Sequence, residues 1–393
     1  MSAFYNRIRR FAAGLIGLVF LVSGLLKLMD PVGTGLIVTE YYRFLHITFL
    51  EPTAKVAGML LALLEATTGC ALITGVFRKA AALVASVFIV VFTAITLVLL
   101  IANPVMDCGC FGQAIHLTHL QSFLKNMVLL LLAVLAFVPF RDYGKPRRSR
   151  HVAFWMAVPT FFLVLWYNDR HLPLVDVMSF APGARLFAAG EAEEDVPEPF
   201  HASFIYERDG KTASFTLDRL PDSTWTFVRI DTVYRSGLPL LRKDRPILSF
   251  SDAAGNYCDD MAAEGKAVVI SVYDPSKADW DRIAAQCHSI EDAGARPLVL
   301  VSASRAELDA RALPFTTYTA DYKTLLTLNR GNGGGTYLDQ GEVIAKWSPS
   351  DFPESLAEVL QADPVDVSTA LTARRRIKAQ GYVLYLAALL IIL

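Results

Sequence analysis

The chain has 393 residues, of which 53% are hydrophobic and 19% charged, with a formal net charge of −1. That balance is too apolar for an ordinary soluble protein and turns attention to membrane-spanning helices. A near-neutral charge gives no electrostatic footprint for a nucleic-acid partner, and five cysteines, at 70, 108, 110, 258 and 287, are too scattered for a disulfide framework.

Five runs are long or apolar enough to span a bilayer: roughly 11–29, 56–77, 80–101, 123–140 and 152–167. The first reads as a retained helix rather than a signal peptide. It contains Lys27, continues into Asp30-Pro31 and shows no small-residue cleavage site. Arg7, Arg9 and Arg10 precede it, Arg78 and Lys79 lie between the second and third runs, and "RDYGKPRRSR" (141–150) lies between the fourth and fifth. All three basic segments fall on one side if the helices alternate, and the positive-inside tendency makes that side cytoplasmic. The loops 30–55 and 102–122 then face outward, as does the chain after the fifth helix.

Residues 168–378 have ordinary soluble composition, starting with the acidic, Pro-containing linker "AAGEAEEDVPEP" (188–199). "FIYERDGKTASFTL" predicts a hairpin and "STWTFVRIDT" a further strand, giving a small β-rich unit at about 198–248. From 249 to 365 the order is β-α-β-α-β-β. "KAVVISVYD" is a buried strand, "SKADWDRIAAQCHSIEDAG" an amphipathic helix with a Ser cap, and "GGGTYLDQGEVIAKW" a hairpin. That order suggests a thioredoxin-like α/β layer. The closing "ARRRIKAQGYVLYLAALLIIL" has an apolar part, 381–393, that is short for a span; a sixth helix is favoured over an interfacial one. The fold class is thus a polytopic α-helical membrane protein with an extracytoplasmic β-rich unit and a thioredoxin-like domain. It divides at 1–140, 141–170, 171–248, 249–365 and 366–393.

"MDCGCFGQ" (106–113) places Cys108 and Cys110 one residue apart in an outward loop. A disulfide across this spacing is tight, Gly109 relieves its backbone, and a strained, exposed disulfide suits exchange better than a staple. The other readings stay open: a metal site from Cys108, Cys110, His116 and His119, or a structural relic. Asp107 disfavours the adjacent thiolate. Glu65 lies near the middle of the second span, where a carboxylate is costly unless paired or protonated. It reads as a proton acceptor or polar ligand, or as a structural hydrogen-bond partner. Lys27 either snorkels, counters Glu65 or favours a thiolate. Cys70 and Cys287 read as core residues, and a Cys258–Cys287 disulfide is left undecided. In the outer domain the position of a redox Cys-x-x-Cys, after "AVVISVYD", reads "PSKADW" and holds no thiol.

"SGLLKLMDP", Glu65 and "DCGCFG", in that order, resemble the DoxX/MauE group of bacterial four-helix redox-associated membrane proteins over about 1–140. "NDRHLPLVD", "FTLDRLPDSTWTF" and "NRGNGGGTYLDQGEVIAKWS" resemble a Bacteroidota subgroup with a periplasmic thioredoxin-like extension. The resemblance implies a multi-pass protein of the bacterial inner membrane with its large soluble domain in the periplasm. It implies a thiol–disulfide centre at Cys108 and Cys110, with Lys27 and Glu65 as intramembrane partners. It also implies a membrane quinone as electron partner, placed near Phe111; no metal or covalently bound cofactor is assigned. The outer domain departs from the pattern, with Gly333-Gly334-Gly335 where a cis-proline is usual and no dithiol. The rival reading is a non-catalytic subunit or scaffold. Its degenerate domain would dock a periplasmic protein or other membrane subunits.

Overall fold

The computed structural model describes residues 2–102, 108–113, 117–138, 146–174, 176, 178–186, 200–208, 211–215, 221, 224–234, 246–311 and 313–391. Among the described residues, five helices are long and apolar enough to cross a membrane. They are α1 (Ser2–Met29), α3 (Ala54–Thr74, extended by a short turn at Thr48–Thr53), α4 (Arg78–Ala102), α5 (His119–Phe137) and α6 (Arg148–Arg170). These match the five apolar runs.

Small residues set the closest crossing, between α1 and α3. A Cβ on Gly24 would lie 2.4 Å from the backbone nitrogen of Ala66, and one on Gly69 would lie 2.4 Å from that of Leu21. Backbones packed this tightly gain dispersion contact where lipid supplies no hydrophobic drive. At the Arg-rich end, Arg9 Nε donates to the Ala136 carbonyl at 3.1 Å, joining α1 to α5. At the opposite end Lys55 pairs with Asp169 at 2.7 Å, joining α3 to α6. The helices therefore alternate in direction, and the basic segments share one end.

The segment expected as an outward loop after α1 folds as α2 (Pro31–Phe44). Asp30 caps it, accepting from Gly33 N at 2.9 Å, and Pro31 occupies the first turn, where no N–H is needed. Pro31 to Ile37 are buried, so α2 lies against the end of the bundle remote from the basic segments.

That same end carries a soluble lobe. Its six strands are β5 (Phe250–Ser251), β6 (Lys266–Val272), β7 (Arg296–Val301), β8 (Thr317–Ala320), β9 (Gly334–Asp339) and β10 (Glu342–Trp347), in the order β10-β9-β6-β7-β8-β5. β6, β7 and β8 are parallel; β9 is antiparallel to β6, β10 to β9 and β5 to β8. One face packs α8 (Trp280–Asp292) and α11 (Leu356–Gln361) through Ile283, Cys287, Ile290, Leu356 and Leu360. The other packs α10 (Tyr322–Leu328) through Leu325 and Leu328. Asp279, rather than the expected serine, caps α8, because Asp274 to Lys277 turn first. Cys258 borders the α10 face and Cys287 the α8 face, so the sheet separates them and a disulfide between them is ruled out. A separate antiparallel sheet of β2 (Phe200–Arg208), β3 (Lys211–Phe215) and β4 (Thr226–Tyr234), in the order β3-β2-β4, forms the expected β-rich unit.

The lobe is fastened to the bundle. Arg330 pairs with Asp30 at 2.9 Å and Lys323 with Glu40 at 2.8 Å, while Leu326 packs on Val32 and Leu36. The apolar C-terminal stretch is the second half of one long helix, α12 (Pro364–Ile391). Lys378 donates to Tyr167 Oη at 3.0 Å and Thr160 lies 3.4 Å from Tyr385 Oη, so α12 runs down α6 in the reverse direction. This accounts for the basic run before the apolar stretch, since Arg375 donates to the Lys346 carbonyl at 2.6 Å and Lys378 to Tyr167.

Gly69→Val will force α1 and α3 apart and cost about 1–3 kcal/mol or more. The expected result is a lower melting temperature in detergent, whereas Gly381→Ala, in open space on α12, will cost far less.

Candidate functional site

Ser23 and Lys27 are one turn apart on α1 and face Glu65 on α3. The glycine crossing brings the two helices close enough for direct contact. Lys27 Nζ lies 2.8 Å and 2.7 Å from the two Glu65 carboxylate oxygens, and both side chains are nearly inaccessible, at 5% and 2% exposure. Lys27 Nζ also donates to Ser23 Oγ at 3.0 Å and to the Cys110 carbonyl at 3.1 Å. Ser23 Oγ lies 2.8 Å from Glu65 Oε2 and 2.6 Å from the same carbonyl, so its single hydrogen serves one acceptor at a time. An unpaired charge at this depth would be costly; here each charge has a partner of opposite sign plus further hydrogen bonds.

The thiol segment hangs from this network. Its extended part is β1 (Cys110–Gln113). Gly109 has φ +63°, and a Cβ there would lie 2.4 Å from Ile37 Cγ2 on α2, so both conformation and space call for glycine. Tyr41 of α2 donates to the Cys108 carbonyl at 2.7 Å. Both cysteines are free thiols; Cys108 is buried and Cys110 partly so. This corrects the expectation of an exposed pair, because α2 roofs the segment.

The thiols are hydrogen-bonded to one another and inequivalent. Donation from Cys108, with the Lys125 and Lys27 cations nearby, holds Cys110 below the usual thiol range at about 6, against the opposing effect of burial. Cys108 is pushed up by its bond to Cys110, then by burial and by the neighbouring thiolate charge. Asp107, expected to disfavour the adjacent thiolate, lies outside the described residues.

The thiols, Lys27 and Glu65 all line one cavity of about 180 Å³. Phe20, Ile89, Phe92 and Leu129 supply apolar wall, and Tyr41, Lys125 and Asn126 supply polar groups. Phe111, expected beside an electron partner, is not among the wall residues; its ring instead takes the Lys125 ammonium at 4.9 Å. Ser23, Tyr41, Lys125 and Asn126 were missed. Asn126, which donates to the Phe92 carbonyl and Thr96 Oγ1, both at 3.1 Å, was legible as an amide inside a span. Of the proposed metal set, His116 lies outside the described residues. Among the described residues no three His, Cys, Asp or Glu side chains are grouped to hold a metal.

Residues 6–139 match the family described as Methylamine utilisation protein MauE. The bundle α1–α5 is a MauE-like membrane domain. The match covers α1 almost from its start and runs past the end of α5, so the MauE-like domain contains every residue of the thiol cavity. Residues 200–235, spanning β2 to β4, match a Domain of unknown function (DUF8463). No curated protein and no solved structure matches the chain.

Two outcomes follow for the MauE-like domain. Lys27→Met alone leaves Glu65 buried without its cation and will cost about 3–5 kcal/mol, while Lys27→Met with Glu65→Leu will recover most of that loss; thermal unfolding in detergent reads both. In reduced protein, alkylation of Cys110 by a small maleimide will be half-maximal near pH 6, because a lowered pKa keeps the thiolate present at lower pH. Cys108→Ala removes the donor and will move that midpoint upward, as a pH series with mass-spectrometric site assignment checks.

Proposed function

We propose that this protein is a thiol–disulfide redox protein of a bacterial inner membrane, with Cys108 and Cys110 as its reversible dithiol and its soluble lobe in the periplasm. One observation carries the reading: two thiols one residue apart line an intramembrane cavity together with a buried Lys27–Glu65 pair. A structural relic has no need of an ionised pair at the same wall.

Exchange with a partner dithiol proceeds in balanced steps. A partner thiolate attacks one sulfur of the Cys108–Cys110 disulfide, forming a mixed disulfide and expelling the other cysteine as thiolate. The partner's second thiol then displaces the remaining cysteine, leaving an oxidised partner and a reduced pair. Turnover requires removal of two electrons and two protons. The cavity fits a quinone ring: its wall is apolar, Tyr41 and Lys125 offer polar contacts, and about 180 Å³ suits a single ring rather than a whole ligand of drug size, for which sites run to ~300–1,000 Å³. Held against Tyr41 and Lys125, a quinone would supply the two-electron, two-proton acceptor that closure of the pair requires. Lys27 and Ser23 hold the thiol loop in place through the Cys110 carbonyl, with Glu65 bonded to both.

The scaffold reading draws on the lobe. Its order β10-β9-β6-β7, with β9 reversed, supports a thioredoxin-like assignment. At the position of the missing dithiol, Asn332 binds both the N–H and the carbonyl of Asp274, at 2.9 and 2.8 Å. Tyr273 and Leu326 beside it pack toward α2. A lobe so occupied suits docking better than exchange.

The discriminating experiment traps thiols in intact cells with acid and a heavy maleimide, in a variant lacking Cys70, Cys258 and Cys287. The expected result is a mixture of dithiol and disulfide at Cys108 and Cys110 that shifts toward dithiol when quinone reoxidation is blocked. A pair fixed in one state under all conditions, with Cys108→Ser/Cys110→Ser fully functional, overturns the redox reading in favour of the scaffold.

A further inference from the structure

The end of the bundle remote from the thiols has a second cavity, of about 460 Å³. Five cations reach it from three helices: Arg9 and Arg10 of α1, Arg78 and Lys79 of α4, and Arg150 of α6. No Asp or Glu is among its described lining residues. Two of the cations have their placement fixed by packing. Arg9 is 1% exposed and held by the Ala136 carbonyl, and the Arg78 guanidinium folds over Gly75, where a Cβ would meet it at 2.6 Å.

Toward the middle of the bilayer the wall turns apolar, through Leu18, Leu72 and Ile73. Gly14 opens it sideways, since a Cβ there would meet nothing within 4 Å. The neighbouring residues Phe11 and Leu18 lie on the exposed side of α1, at 68% and 47%. The recess is therefore cationic at the interface, apolar one to two turns deeper, and open toward lipid beside Gly14. A free anion satisfies only the first half of that surface. A phospholipid satisfies both, with its phosphate among the cations and an acyl chain along the Gly14–Leu18 groove. Basic recesses between helices on the cytoplasmic side hold anionic headgroups on these grounds.

We propose that this recess binds one anionic phospholipid of the leaflet at the basic end, holding α1, α4 and α6 together there. The inference rests on the cavity and its charges and is independent of the redox reading.

The test uses the full-length protein in detergent, with phosphatidylglycerol, phosphatidylcholine of the same chains, and inorganic phosphate as probes, read by native mass spectrometry and melting temperature. The expected result is one retained phosphatidylglycerol that raises the melting temperature, with no such effect of phosphatidylcholine or phosphate. Arg10→Gln with Lys79→Gln will weaken phosphatidylglycerol binding by roughly fivefold per charge. Gly14→Leu will weaken it by filling the groove, with all five cations kept. Equal retention of the two lipids, or unchanged binding in both variants, overturns the proposal. Protection by phosphate equal to that by phosphatidylglycerol also overturns it, as an anion site only. Should the double variant fail to fold, Gly14→Leu and Arg150→Gln carry the same comparison.

Discussion

The Lys27–Glu65 pair is the contact on which the outer half of the molecule depends. It joins α1 to α3 and, through the third acceptor on Lys27, fixes the backbone of Cys110. Two charges this deep are tolerated only if they meet at hydrogen-bonding distance, and they meet because Gly24 and Gly69 let the helix backbones touch. The order of dependence runs from small residues to helix approach, from helix approach to ion pair, and from ion pair to the depth of the thiol loop. A short Cys-Gly-Cys segment has no core of its own to hold it; its place is set by a lysine more than eighty residues earlier in the chain.

The second constraint comes from outside. α2 lies between the thiol loop and the soluble lobe and makes ordered contacts with both. Toward the thiols it presents Ile37, against Gly109, and Tyr41, on the Cys108 carbonyl. Toward the lobe it presents Val32 and Leu36, with Asp30 and Glu40 paired to Arg330 and Lys323. Arg330 and Asp30 are mostly buried, so removing one partner of that pair costs more than breaking the more exposed Lys323–Glu40 bridge. The lobe is thereby a structural neighbour of the thiol site through a single helix. A lobe with no Cys-x-x-Cys dithiol can still determine how reachable the thiols of the membrane domain are.

Much of this was legible in the sequence, and what was not has identifiable causes. The five spans are unbroken apolar runs, and run length alone finds them. Cys108, Cys110, Lys27 and Glu65 stand out because thiols one residue apart and charges within apolar runs are costly to keep. The meeting of Lys27 and Glu65 was one reading among several, because snorkelling and pairing predict the same sequence. α2 was missed because Gly, Thr and Tyr break its apolar pattern, although Asp30-Pro31 is itself a helix-start signal. Lys125 was passed over as a charge near a helix end. The burial of the thiols was not legible, since it depends on α2 folding over a loop some seventy residues later. In the lobe the β-α-β pattern predicts β6, α8, β7, α10, β9 and β10 but not the short edge strands β5 and β8, and the choice of Asp279 over Ser276 as the α8 cap turned on a local turn at Pro275.

Within the proposed chemistry, the inequivalence of the two sulfurs constrains how exchange occurs. Cys110 has the lower pKa and so is the better leaving group, which directs a nucleophile to the sulfur of Cys108. Cys108 is also the more buried of the two, at 6% exposure, beneath Tyr41 and α2. Chemical preference and access therefore point to different sulfurs while α2 is seated. A partner protein too large for the cavity meets its preferred sulfur only when α2 moves, and α2 is held by the lobe. A small ring inside the cavity has no such restriction, since both sulfurs already line its wall. The same helix that shelters the pair from a large partner leaves both sulfurs on the cavity wall, and within the proposed chemistry this asymmetry separates the two halves of the cycle.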